Sequence, residues 1–267
     1  MAVKYLSGNR LYGTNAERLA LTTLASAGWT ETTGDAVTEI GSGTLDFDYK
    51  SGTYNGKGYY DLTTVSDTAW VLRFENINFS TWTTYGAMWL GISSITAQDE
   101  ANSGSSIMTR LADFGDGDDY LTIQSFNNST TKVSGSDGRP AITASTNYNL
   151  EIIRDGTTIT TNLYTTAFTG TPLATSTDTI SGTTGLRYLF VQNYYSTGAG
   201  NANRNIIGTI DGIKFYNGIT SVTSQTPTYE TDFTSTYPNL KNGSTFLTSD
   251  TNELWMWDGT SAWNEVS

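Results

Sequence analysis

The 267-residue sequence predicts an all-β protein built on one large antiparallel β-sandwich. Three observations carry that expectation. Residues 147–164 hold two alternating apolar runs around Asp155-Gly156, a strong short-range signal for a tight hairpin. Runs of β-branched and aromatic residues recur through the middle of the chain, punctuated by Gly, Asn, Asp and Ser. Prolines number only four, three of them at or beyond position 172, so few of these runs are interrupted.

The elements follow in order. Residues 1–28 read as an extended N-terminal arm and one short helix. Thr14-Asn15-Ala16-Glu17 fits a capping box, Arg18–Ala25 follows, and Gly28 supplies a stop. Residues 29–219 read as the sandwich. Its strands are expected at Thr44–Tyr49, Gly58–Leu62, Ala69–Phe74, Met88–Ile95, Tyr120–Ser125, Tyr148–Arg154, Thr157–Tyr164, Leu186–Tyr194 and Ile206–Tyr216. Residues 220–228 form a polar linker with little to bury. Residues 229–267 read as a small three-stranded, Trp-rich β-meander, with strands at Ser244–Thr248, Glu253–Trp257 and Ala262–Val266. A unit that small buries little by itself. Trp255, Trp257 and Trp263 are therefore assigned to an interface, with the sandwich or with a partner chain.

The hairpin can be read residue by residue. With Asp155 and Gly156 as its loop, Ile152 faces Ile159, Leu150 faces Thr161 and Tyr148 faces Leu163. Side chains alternate with period two, so all six share one buried side and leave a wet side rich in Thr and Asn.

Composition excludes several function classes. Hydrophobic residues are 37%, but aromatics reach 12%, with 16 Tyr and 7 Trp, and large rings bury enough area to keep a compact core. A net charge of −12, from 14 basic and 26 acidic residues, opposes contact with nucleic-acid phosphates and with anionic membrane surfaces. The chain has no His and no Cys. That removes Ser-His-Asp and Cys-His catalysis, structural zinc, iron–sulfur clusters and disulfides. Any metal must sit among oxygen ligands, which favours calcium or magnesium, and no cofactor is required. Met1–Arg10 lacks a signal-peptide core and no later run is long enough to span a bilayer, so neither export nor membrane insertion is expected.

Two stretches resemble a known family. Leu150–Thr160, with its sequel Gly170-Thr171-Pro172-Leu173-Ala174, is similar to the corresponding strands of concanavalin A-like (laminin G-like) jelly rolls. Ile206–Gly218 is similar to their closing strand. The resemblance covers roughly residues 29–219 and implies an antiparallel jelly roll whose closing segment is one strand, not a second hairpin at Asp211-Gly212. That fold hosts lectins, carbohydrate-binding modules, glucanases and structural domains alike. The ends resemble something narrower. Lys4–Thr14 is similar to the opening, and Asn242–Trp263 to the Trp-rich ending, of structural proteins of tailed bacteriophages and related viruses. Together these imply a non-enzymatic virion surface protein (capsid decoration, head fibre or tail fibre) made in the host cytoplasm. Its implied partners are other virion proteins, further copies of itself in a homo-oligomer such as a trimer, and host surface glycans. A free carbohydrate-binding module or lectin is the alternative, and a glycoside hydrolase the third reading.

Candidate chemistry follows from particular residues. A retaining glucanase on this fold places two carboxylates as Glu-x-Asp-x-x-Glu along one strand. Only Glu230-Thr-Asp232-Phe-Thr-Ser235 approaches that pattern, with Ser where the second Glu belongs, so no catalytic residue is assigned. Asp113, Asp116, Asp118 and Asp119 crowd a glycine-containing loop that could wrap calcium, or could be a solvated turn in which Asp and Gly are common. Asp211 is a weaker metal candidate. Sugar recognition needs aromatic faces beside polar groups. Trp82 with Tyr85, and Asn193 with Tyr194 and Tyr195, fit that description, against the alternative that these rings are core or interface.

Overall fold

A computed structural model describes residues 4–6, 10–12, 19–21, 24–31, 36–41, 43–49, 56–83, 86–96, 104–127, 130–133, 138–180, 182–193, 206–222, 242–243, 245–247, 254–258 and 263–265. In chain order the strands begin with β1 (Lys4–Leu6), β2 (Arg10–Tyr12), β3 (Leu19–Leu21), β4 (Trp29–Thr30), β5 (Ala36–Gly41), β6 (Thr44–Tyr49) and β7 (Lys57–Asp61). They continue with β8 (Ala69–Trp82), β9 (Ala87–Ser93), β10 (Ser106–Asp113), β11 (Asp119–Asn127), β12 (Thr130–Val133), β13 (Asn147–Asp155) and β14 (Thr158–Tyr164). The rest are β15 (Ala174–Thr179), β16 (Tyr188–Asn193), β17 (Ile206–Ile210), β18 (Gly212–Asn217), β19 (Thr245–Leu247), β20 (Leu254–Trp257) and β21 (Trp263–Glu265).

The chain divides into two units, Leu19–Thr220 and a smaller one made from Met1–Arg18 with Ser221–Ser267. The larger unit is an antiparallel sandwich. One sheet has seven strands in the order β12-β11-β10-β9-β16-β7-β4. The other has nine, running β15-β14-β13-β8-β17-β6-β5, with β18 beside β8 and β3 beside β18. Inward residues of both sheets make one core. Leu45, Phe47, Leu72, Phe74, Phe79, Leu150 and Ile152 from the nine-stranded sheet meet Met88, Leu90, Ile92, Ile107, Leu111, Leu121 and Ile123 from the other. The sheets are also tied by a buried hydroxyl pair, Thr109 Oγ1 to Thr161 Oγ1 at 2.9 Å.

The long β8 organises the nine-stranded sheet. Its register against β13 shifts between Tyr148 and Leu150, and against β17 between Ile207 and Gly208, so it carries two bulges that bend the sheet. Asn76 takes φ +51° at the first, and its N–H donates to Asn149 Oδ1 at 3.0 Å. β17 and β18 both run antiparallel to β8, and the Asp211 N–H donates to Glu75 O at 3.1 Å between them. The closing segment is therefore one interrupted strand, with no hairpin at Asp211-Gly212.

Two expectations need correction. Leu19–Leu21 is a strand, not part of a helix; it pairs with Ile213–Phe215 of β18, and Leu24 bridges Gly43. Leu19 and Leu21 pack on the core, and an isolated helix of eight residues could not compete with that burial. The expected cap residues 14–17 lie outside the described residues, among which there is no helix. The hairpin register is also shifted by two. Asp155 pairs with Thr158, Ile152 with Thr161 and Leu150 with Leu163, leaving Gly156-Thr157 as the loop. Gly156 takes φ +61° at the first loop position, the requirement of a type II′ turn. A slip of two preserves the faces, and Tyr148, Leu150, Ile152, Ile159, Thr161 and Leu163 are all buried.

The smaller unit is a five-stranded sheet in the order β1-β2-β19-β20-β21. Its three C-terminal strands form the expected meander, and the N-terminal hairpin joins it through a parallel pairing of β2 with β19.

Candidate functional site

Two clusters picked out of the sequence meet at one end of the sandwich. β8 ends at Trp82, β10 ends at Asp113 and β11 begins at Asp119, so these strand ends converge. The Trp82 indole Nε1 donates to Asp119 Oδ1 at 2.7 Å, and the Ile142 N–H donates to Asp119 Oδ2 at 2.7 Å. Burial raises the Asp119 carboxyl above the usual carboxylate range, and these two hydrogen bonds oppose that rise. Trp82 also packs edge-on against Phe79, with centroids 4.8 Å apart.

The acidic loop is satisfied by protein donors. Asp113 Oδ1 accepts the Gly115 N–H at 2.6 Å, and Asp116 Oδ1 accepts the Asp118 N–H at 3.2 Å. Asp116 Oδ2 accepts the Tyr120 hydroxyl, and Asp118 pairs with Arg139. The Tyr120 bond holds the Asp116 carboxyl low and pushes the Tyr120 phenol up. Each oxygen of Asp116 and of Asp119 thus accepts one hydrogen bond from the protein. Among the described residues no group of three or more acidic side chains is gathered for a metal, Asp211 included.

The remaining predicted residues are placed as follows. Asn193 ends β16, is buried, and its N–H donates to Gly56 O at 2.9 Å. Tyr85, Tyr194 and Tyr195 lie outside the described residues, as do Glu230, Asp232 and Ser235. Trp257 is 4% exposed in the single chain, Trp255 is half-buried, and Trp257 pairs in register with Trp263.

Sequence reading missed the outer face of the seven-stranded sheet. Register lines up Gln124, Met108, Gly91, Phe190 and Tyr59 in one row across five strands. The next row is Thr122, Arg110, Trp89, Gln192 and Lys57. Trp89, Met108, Phe126 and Phe190 form a second buried cluster there, with Tyr59 packed against it. Half-exposed rings rim it. Tyr59 meets Tyr188 edge-on at 5.9 Å, and Tyr188 lies under Arg187, which forms a fork to Asp61 at 2.9 and 2.6 Å. At the acidic end, Arg110 stacks on Phe114 at 4.6 Å, Phe114 meets Tyr120 at 5.1 Å, and Arg139 stacks on Tyr120 at 4.8 Å. These strands read as buried on both sides, so no period-two alternation marked the outer residues. Chemically, the rim offers apolar ring faces beside guanidinium, carboxylate and amide groups.

No family model matches the chain, and no curated protein matches it. Solved structures do. The CBM2 module of the evolved Dit of Lactobacillus casei BL23 phage J-1 is similar in fold, with a TM-score of 0.50 at 11% identity over 75% of this chain and 94% of that one. The VIP36 exoplasmic/lumenal domain in a Ca2+/Man3GlcNAc-bound form gives 0.49 at 9% identity, covering 78% and 91%. The Emp47p carbohydrate recognition domain gives 0.46 at 13%, covering 78% and 97%. At these identities the likeness concerns the fold alone.

Proposed function

We propose that residues 19–220 are a carbohydrate-binding, non-enzymatic sandwich of the concanavalin A-like jelly-roll kind, displayed on a virion surface by the smaller unit. The observation that carries the binding reading is the rim of half-exposed rings: Phe114 under the Arg110 guanidinium, Tyr188 under that of Arg187, and Tyr59 edge-on to Tyr188. Pyranose C–H faces stack on such rings while their hydroxyls bond to the flanking polar groups. The absence of His and Cys and of a carboxylate pair in glucanase spacing favours binding over turnover. Fold likeness to a module from a phage Dit agrees with the viral setting. So does the joining of both virion-like ends in one five-stranded sheet, a unit distinct from the sandwich.

A glycan array probed with the full-length chain tests the binding reading; reproducible signal on a related set of glycans is expected, and silence at high micromolar protein would overturn it. The viral assignment is read from the neighbouring genes. Portal, capsid and tail genes are expected, and a polysaccharide-utilisation locus would leave a free carbohydrate-binding module instead.

A further inference from the structure

Arg154 is the last inward-facing residue of β13 and is 4% exposed. Register sets it between Ile159 of β14 and Trp70 of β8, and Trp70 is 0% exposed. Residues paired in this way carry their side chains on the same face with Cβ atoms about 5 Å apart. Arg154 directs Nε to Gly156 O at 3.3 Å and Nη2 to Thr183 O at 2.9 Å. Its Nη1, and the indole Nε1 of Trp70, are buried and find no acceptor among the described residues. No carboxylate pairs with Arg154 among the described residues either; Asp67 influences it at longer range, and the Asp67 Oδ1 accepts the Gly185 N–H at 2.9 Å.

A guanidinium removed from water without a counter-charge is costly, and burial accordingly works against the Arg154 charge. Guanidinium and indole are donors only, so water would satisfy them less well than a guest that only accepts and carries negative charge. We propose that Arg154 and Trp70 form a buried site for a small monovalent anion, chloride being the abundant one. The anion bridges β13 and β8 at the end of the core opposite Trp82 and Asp119. It neutralises the only charge that the inner row of β13 carries. A chain charge of −12 opposes anion accumulation around the molecule, so occupancy is expected at many-millimolar halide rather than at trace levels. The site is independent of the glycan reading.

The full-length protein is melted at constant ionic strength in sodium chloride, sodium bromide and sodium gluconate, whose anion is too large to enter. A saturable rise in Tm of several degrees in either halide is expected, as for any ligand that binds only the native state. Arg154→Met, which keeps an unbranched apolar stem and removes the charge, should lose that halide dependence. Equal melting in halide and gluconate, or a halide effect that persists in Arg154→Met, overturns the proposal. Crystals of the unaltered protein in bromide give a second reading that needs no variant to fold. An anomalous peak in contact with both Arg154 Nη1 and Trp70 Nε1 supports the site, and its absence from that position overturns it.

Discussion

At the scale of single residues, the Trp82–Asp119 contact couples a side chain chosen for its ring to one chosen for its charge. The indole N–H of Trp82 satisfies one oxygen of Asp119. Trp82→Phe would keep the ring against Phe79 and remove the N–H donor. Leaving a half-buried carboxylate oxygen short of a partner is expected to cost about 1–3 kcal/mol, measured by urea unfolding. The pH response has a definite sign. Burial raises the folded-state pKa of Asp119 above its unfolded value, so the charged form is a liability at neutral pH. That liability fades as pH falls through the folded pKa and is gone below the unfolded one. Relative to Asp119→Asn, the unaltered protein should therefore gain stability on acidification across that window. A difference independent of pH would show that the two hydrogen bonds balance burial, and one of opposite sign that they outweigh it.

At the scale of elements, two glycines separate backbone conformation from packing. Gly156 has φ +61°, and a methyl added there would meet nothing within 4 Å, so Gly156→Ala should cost only the left-handed penalty of about 1–2 kcal/mol. Gly208 in β17 is different, because a Cβ there would meet Asn78 O at 2.1 Å and Phe47 Cζ at 2.7 Å. Gly208→Ala should be clearly the more damaging in the same unfolding series, and equal losses would contradict this packing. The loop between β10 and β11 carries a further expectation. Its carboxylates are engaged by Gly115, Asp118, Tyr120 and Arg139, so melting curves in calcium and in chelator should coincide. A calcium-dependent rise in Tm that Asp116→Ala with Asp118→Ala removes would instead support the metal reading. What the sequence made legible at this scale was strong local pattern. Thr44–Tyr49 stood out because buried and half-buried residues alternate along it, and the hairpin because Asp155-Gly156 marks its turn. Ser106–Asp113 did not, since it is covered on both faces and shows no alternation. Leu19–Leu21 misled because its partner, Ile213–Phe215, lies far along the chain and local helix signals carry no knowledge of it.

At the scale of the whole molecule, the two ends of the chain make one unit and the middle makes another. The sequence marked both ends by their resemblance to virion proteins, but nothing in it announced that β2 and β19 pair in parallel, a contact that spans most of the chain. The candidate binding rim was equally hidden, because Tyr59, Tyr188 and the Arg110–Phe114 pair come from three separate segments that only strand order sets around one sheet face. Whether that rim holds a sugar is the central question. The most direct measurement is a calorimetric titration of the best array glycan into the full-length chain, into Phe114→Ala and into Phe168→Ala. Phe168 is the control, a ring stacked on Arg73 at 4.3 Å beside the nine-stranded sheet. Loss of a stacking ring worth about 1.4 kcal/mol would weaken binding roughly tenfold in Phe114→Ala. Phe168→Ala should bind like the unaltered chain. Equal affinity in all three proteins would place the sugar somewhere other than this rim and contradict the proposed function.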